Sequence, residues 1–432
     1  MTAIRAGATR RRLQLGRSQT MGVFWGLLGF VLLAYVGPNL TDETRAFIFE
    51  PPPDPLTLSF TPSVIAVTIG AVYLLVTIAA FALPDGHRVT RVGFVTASVL
   101  FIPLALVVAL ALSTGLAFTN VTQLAVNSLQ AGTPLALGAM AGLWSERSGV
   151  VNIGIEGMLL ASAGVSYLTF ALLGDGQSTG FVWLAIGVGI LAGGLAAALH
   201  ALMSVTFRVD QIISGVVINL LALGVTGFLN TEVIKKQDFS GKTTSDIGLP
   251  VLSKIPVFGE QLFTGQPIFF LMFAVVAVSW FVLFKTAFGL RVRAVGENPD
   301  AAETVGVDVI RIRYIAVITG GLIAGLGGAW FSMESQGGFQ DNMTNGAGFI
   351  ALAALIFGKW RPWTAFGGAM LFGFTRALGS RLQILGVEVG DFEIPSEFWQ
   401  SLPFVVTIIV VAGLIGRAIP PASIGQPFER SR

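Results

Sequence analysis

Apolar runs of roughly 18 residues or more recur along this chain, and they restrict its fold more than any other feature. A helix needs about 20 such residues to cross a hydrocarbon slab ~30 Å thick. Only 12% of the 432 residues are charged and 53% are hydrophobic, whereas soluble domains are roughly 25% charged. Transmembrane strands would alternate apolar and polar residues, and these runs do not. The expected fold is all-α: a polytopic transmembrane helical bundle. The 53 glycines suit helices that approach closely without a strong hydrophobic drive between them. Counting runs gives about 10–12 membrane segments, some interrupted or re-entrant.

Several chemistries lack raw material. The chain has no cysteine, so disulfides and thiolate metal sites are excluded. Its two histidines, His87 and His200, lie far apart in sequence and offer little for a zinc site or a triad, and no metal is expected. A net charge of +2 is what basic cytoplasmic loops produce and does not call for nucleic acid.

Charge placement gives a topology. Arg5, Arg10, Arg11, Arg12 and Arg17 precede the first run with no acid among them. No small-residue cleavage site follows that run, so a retained helix with a cytoplasmic amino end is expected. Residues 38–61, with the proline run 51–55, read as an external loop, and 174–180 as a tight turn. The loop 285–314 carries Lys285, Arg291, Arg293, Arg311 and Arg313 between two spans, a strong inside signal. Glu388, Asp391, Glu393 and Glu397 fit the outside, and Arg417, Arg430 and Arg432 put the tail inside. The organisation is then a basic tail (1–20), an N-terminal transmembrane region (21–118), a core (119–417) with a charged loop (286–312), and a cytoplasmic tail (418–432). Residues 346–358 are apolar but too short for a full span, and fit a short or re-entrant helix.

One stretch, residues 144–160 (WSERSGVVNIGIEGMLL), interrupts this apolar background with Glu146, Arg147, Asn152, Glu156 and three glycines. Broken helices in transporters free backbone groups to face a solute. Asn152 and Glu156 are spaced i, i+4, which on a helix puts them on one face. The alternative is a plain loop at the cytoplasmic edge, with Glu156 paired to a base such as Arg147. Asn127, Gln130 and Asn219 lie inside apolar runs and serve either a cavity or interhelical hydrogen bonds. His200 reads as a packing residue. Pro134 is expected to kink or interrupt its helix. Residues 132–144 and 348–360 share length and a closing tryptophan, either as internal transporter repeats do or because apolar runs coincide by chance.

The loop at 298–306 reads as a short capped helix. Asn298 can cap, Pro299 suits the first position, Asp300 and Glu303 suit the positive end of the helix dipole, and Gly306 can end it. Such a helix between two spans is either a lever for a soluble motor or an amphipathic element on the membrane surface. Its modest, alanine-rich apolar content favours docking into a protein cleft. No glycine-rich run ends in the Lys-Ser/Thr of a phosphate loop, so an ATPase driving this chain would be a separate polypeptide.

Three segments in this order, SERSGVVNIGIEGMLL, AVGENPDAAETVGV and TNGAGFIALAALIFGKWRPW, together resemble the permease subunits of bacterial ABC importers. The relevant branch is the sugar/nucleoside and branched-chain amino-acid permease superfamily, within it the nucleoside/simple-sugar subgroup. The resemblance covers about residues 120–415. It implies a translocation path for a nucleoside or simple sugar, with Asn127, Asn152, Glu156 and Asn219 as path residues. It implies ATPase contact at Gly296, Glu297, Asn298, Ala301, Ala302, Glu303 and Gly306. The implied partners are cytoplasmic ABC ATPase subunits using ATP and Mg, a second permease (a copy or a relative), an extracytoplasmic substrate-binding protein and membrane lipid. This chain itself would hold no cofactor and catalyse no hydrolysis. The implied location is the bacterial inner membrane, both termini cytoplasmic. An ion-coupled secondary transporter of a small polar solute is the competing expectation; it would need no partner.

Overall fold

The computed structural model describes residues 16–49, 56–112, 117–173, 179–236, 243–255, 259–385, 388–389, 392–393, 395–409 and 418–429. The arginines from Arg5 to Arg12, the proline run 51–55, most of the 174–180 turn, Asp391, and Arg417, Arg430 and Arg432 lie outside them. The chain divides into two compact units. One comprises described residues up to Val121 together with those of 382–396; the other takes those of 122–381 and from 397 onward.

In the first unit, α1 (Arg17–Val31), α2 (Pro62–Ala82) and α3 (Arg88–Ala111) pack around Trp25, Ile69, Tyr73, Val76, Ala97 and Leu104. The loop between α1 and α2 is not wholly irregular. β1 (Arg45–Ile48) pairs antiparallel with β2 (Thr57–Phe60), Arg45 opposite Phe60, and parallel with β3 (Phe118–Asn120), Ala46 opposite Phe118. Strands of three or four residues leave too short an alternation to be seen in sequence.

The second unit holds α4 (Val121–Arg147), α5 (Ile155–Leu173), α6 (Thr179–Ala201), α7 (Gln211–Glu232) and α8 (Pro267–Lys285). It continues with α9 (Ala287–Glu297), α10 (Pro299–Thr304), α11 (Val309–Ala329), α12 (Ala347–Phe357), α13 (Pro362–Leu385, its end reaching the first unit) and α14 (Ser396–Ile409). Local chemistry sets many helix starts. Pro62, Pro267 and Pro299 each open a helix, where their missing N–H costs nothing. Asp210 accepts from the N–H groups of Ile212 and Ile213, Thr286 from Gly289, and Asp308 from Arg311.

Eight helices among the described residues have the length and hydropathy to cross a membrane. Helices α4 and α13 have the length, 27 and 24 residues, with more polar faces. Helix α12, with 11 residues, rises only about 16 Å at 1.5 Å per residue, roughly half a hydrocarbon slab. This is the all-α polytopic bundle, with a half-length helix where the sequence pointed to one. The glycines act as expected where α6 meets α11: a Cβ on Gly193 would sit 2.6 Å from the Cα of Gly325.

Pro134 does not interrupt its helix; α4 is helical from Val121 to Arg147. The backbones of α13 and α4 meet at Gly373, where a Cβ would lie 2.5 Å from the amide nitrogen of Gly132. The two echoed segments, 132–144 and 348–360, run side by side in parallel. Gly138 faces Ala351 and Gly142 faces Leu355.

Candidate functional site

Between α4 and α5 the chain is not helical over residues 148–154, and Ser148, Val150 and Asn152 are fully buried. Buried backbone N–H and C=O groups need partners, and at membrane depth irregular chain survives only inside protein or along a cavity. Some partners are backbone groups, the Ser148 and Val150 N–H groups donating to the Ser145 carbonyl, and others are side chains from neighbouring helices. Gln211 Oε1 accepts from the N–H of Val151 at 2.7 Å, and His200 Nε2 lies 2.9 Å from the Val151 carbonyl. Asn219 clamps the entry to α5: its Nδ2 donates to the Ile153 carbonyl at 3.0 Å, and its Oδ1 accepts from the N–H of Gly157 at 2.7 Å. Both bonds tie α7 to the interrupted segment.

An Asn219→Leu variant leaves both backbone groups without their partner. Each buried unsatisfied group costs about 1–3 kcal/mol. Thermal unfolding in detergent is expected to show a clear loss of stability; an unchanged midpoint would mean that the segment finds other partners.

Asn152 and Glu156 do not share a helix face, because α5 begins only at Ile155. The glycines and the side-chain clamps keep the preceding residues out of the helix. Asn152 Nδ2 donates to Ser145 Oγ at 3.2 Å, while its buried Oδ1 has no partner among the described residues. Glu156 does not pair with Arg147. Its Oε1 accepts from Thr344 Oγ1 at 2.6 Å and the N–H of Gly346 at 2.9 Å; its Oε2 accepts from the N–H of Gly348 at 2.6 Å. It thereby caps the half-length α12 at the positive end of its dipole. Glu334 treats α8 alike, its Oε1 accepting from Ile268 N–H and Thr244 Oγ1.

Arg147 turns away from Glu156. Its Nε and Nη2 donate to the carbonyl of Trp360, at 2.9 and 2.6 Å, and its Nη1 is 3.9 Å from Glu297. The indole N–H of Trp360 donates in turn to Glu146 at 2.5 Å. The far ends of α4 and α12 are thus riveted together, and Glu156 fixes the near end of α12.

Asn127 lies on the outer surface of α4, accepting from Gln123 at 2.8 Å, with Gln130 half-buried one turn on. These three, spaced i, i+4, i+7, form a polar stripe on a membrane-length helix. Arg376 is not among the residues singled out from the sequence. Antiparallel packing of α13 on α4, with Gly373 against Ser128 and Gly132, brings Arg376 near the level of Asn127. An arginine at the end of the apolar run 363–375 is the available signal.

The short helix is as the sequence reads: Asn298 Oδ1 accepts from the N–H of Ala301 at 3.0 Å, Pro299 opens α10, and Gly306 has φ +84°. Glu297, Asn298, Ala301 and Gly306 are exposed, Glu303 is half-buried, and Ala302 packs inward. Gly296 is buried against the backbone of Arg147 and Gly149. A Cβ there would collide with the Arg147 carbonyl oxygen. The end of α9 therefore touches the start of the interrupted segment, backbone on backbone.

Comparison with known proteins adds to this geometry. The family described as branched-chain amino acid transport system, permease component, matches residues 124–411. The guanosine ABC transporter permease protein of Bacillus subtilis (strain 168) is 40% identical over 308 residues, 69% of this chain and 94% of that protein. The nucleoside ABC transporter permease protein of Lactococcus lactis subsp. cremoris (strain MG1363) is 40% identical over 320 residues, 72% of this chain and 99% of that protein. A Haloferax volcanii protein, provisionally named a glucose ABC transporter permease, is 38% identical over 262 residues, 60% of this chain and 78% of its own length. No solved structure matches the chain.

Proposed function

This chain belongs to the permease-component family of branched-chain amino acid transport systems, and on that premise we propose that the solute it moves is a nucleoside. It is the membrane permease subunit of an ABC importer. The two relatives at 40% identity, named for guanosine and for nucleosides, support the solute class. A simple sugar is the second reading, favoured by the glucose-named relative at 38%. Ribose hydroxyls and ring nitrogens suit the hydrogen-bonding groups at Gln123, Asn127 and Arg376. In this reading the polar stripe of α4 faces a second permease, a copy or a relative, across the path. An extracytoplasmic binding protein delivers the solute there.

The observation that carries the mechanism is the contact of Gly296 with Arg147 and Gly149. In this reading α9 and α10 lie on the cytoplasmic side of a bacterial inner membrane, as do both termini. ATPase subunits dock on the exposed face of α10, around Ala301, Thr304 and Val305. They supply ATP and Mg chemistry, and this chain needs no cofactor. Closure of the ATPase pair displaces α10. Gly296 passes the displacement to the interrupted segment, and Glu156 passes it from α5 to α12, so the path changes its opening.

The test is uptake of labelled guanosine by the full complex in vesicles. Other nucleosides are expected to compete, and glucose is not. Arg376→Met is expected to cut uptake by about tenfold, equivalent to 1.4 kcal/mol, without loss of assembly. Competition by glucose alone would replace the nucleoside reading with the sugar reading.

A further inference from the structure

We propose that residues 418–429 form a strap that holds the coupling helices to the interrupted segment, with Ser423 and Arg313 as positioning residues for energy coupling. This rests on the permease reading above and names the element that removes slack from it.

The strap bonds to two working parts at once. At the end of α9, the N–H of Ser423 donates to the Gly296 carbonyl at 2.9 Å and its Oγ to the Glu297 carbonyl at 3.1 Å. The N–H of Ala422 donates to Glu297 Oε2 at 3.3 Å. Two residues further on, the N–H of Gly425 donates to the Gly149 carbonyl at 3.0 Å, inside the interrupted segment. Phe428 is buried in the main core and anchors the far end. The outer pair, Arg208 with Glu429 at 2.7 Å, is exposed and adds little.

Two features fit the strap to this place. Gly149 has φ +88°, and a Cβ there would lie 3.1 Å from Arg313 Nη2 and 3.2 Å from the Ser423 carbonyl oxygen. Only glycine suits that backbone and leaves room for the strap. Arg313, on α11, is 1% exposed, and its Nη1 donates to the Gln426 carbonyl at 3.0 Å. Its Nε and Nη2 have no partner among the described residues. The strap thus offers a carbonyl to a cation that is otherwise poorly satisfied, and the cation in turn fixes the strap.

Gly296 touches the interrupted segment, but a contact alone transmits a push and not a pull. The strap closes the other side through hydrogen bonds, so α9 and the segment move together in both directions.

The experiment uses the full complex with its ATPase partners, reading uptake and ATP hydrolysis together. Deleting residues 421–432 is expected to leave basal hydrolysis and lower the uptake-to-hydrolysis ratio about tenfold, within the 5–150-fold range typical of coupling between sites. Ser423→Pro, which removes the donor to Gly296, is expected to act the same way. A merely structural role would lower both activities in step with the amount of complex. An unchanged ratio overturns the proposal. A cross-link covers the case in which these variants do not assemble, since the chain has no cysteine of its own. Oxidation of a Ser423→Cys, Glu297→Cys pair is expected to leave uptake at the level of the same variant before oxidation, because the two positions move as one body. Loss of uptake on oxidation, restored by reduction, would mean that the strap must release, and would overturn the proposal. Wild-type complex without uptake of any candidate solute would instead overturn the permease reading itself.

Discussion

A Glu156→Ala variant is expected to lose uptake outright and to melt well below the wild-type protein. Three donors converge on this carboxylate: the Thr344 hydroxyl and the N–H groups of Gly346 and Gly348. The hydroxyl can rotate to another acceptor, but the two N–H groups cannot. Each left buried and unpaired costs about 1–3 kcal/mol. Helix α12, with 11 residues, is too short to hold itself in place by its own turns. The loss should therefore appear as movement at its amino end. A single cysteine at position 345, in a chain with none of its own, would report this as faster labelling by a maleimide. Glu156→Gln separates charge from geometry. Its amide oxygen can serve one side of the cap, while its NH₂ group must face an N–H donor. A result between wild type and alanine is expected. Wild-type melting and labelling in Glu156→Ala would show that α12 is positioned by packing alone.

The second large effect is expected at Gly296. A side chain there meets the Arg147 carbonyl, which is backbone and cannot rotate away. Gly296→Val must push α9 off the interrupted segment, at a cost of about 1–3 kcal/mol for overpacking. The exposed face of α10 is untouched by the change, so ATPase subunits should still dock and hydrolyse ATP. Uptake should fall by far more than hydrolysis, with Leu195→Ala, on an exposed apolar face of α6, as the unaffected reference. Equal loss of both activities would mean that the variant fails to assemble, and equal retention would remove this contact from the coupling route.

These predictions centre on two residues that the sequence reading gave other work. Glu156 reads either as a path residue or as the partner of a base, because an acid in an apolar chain calls for a partner. Its partners, Thr344, Gly346 and Gly348, are nearly 200 positions away, and no local pattern links them. Asn219 and His200 divide in the same way: both were visible as polar groups in apolar runs, but the carbonyls they bind, of Ile153 and Val151, belong to another element. Arg376 was equally visible, and only the packing of α13 on α4 gives it a role. The capped helix at 299–304 is the opposite case. Its cap, its proline and its terminating glycine all act within nine residues, so each could be read before any fold was known.

The sequence by itself determined the all-α membrane class, the half-length α12, the capped α10 and the break between α4 and α5. All of these depend on run length, periodicity and short-range backbone chemistry. The tertiary structure alone decided that the break is held by Gln211, His200 and Asn219, and that α4 stays helical through Pro134. It alone brought Gly296 against Arg147 and laid the strap across Gly149. The physical reason is that a membrane-embedded backbone must satisfy every polar group within the protein. Where a segment is not helical, its partners come from whichever helices pack beside it, and that packing is a property of the whole bundle.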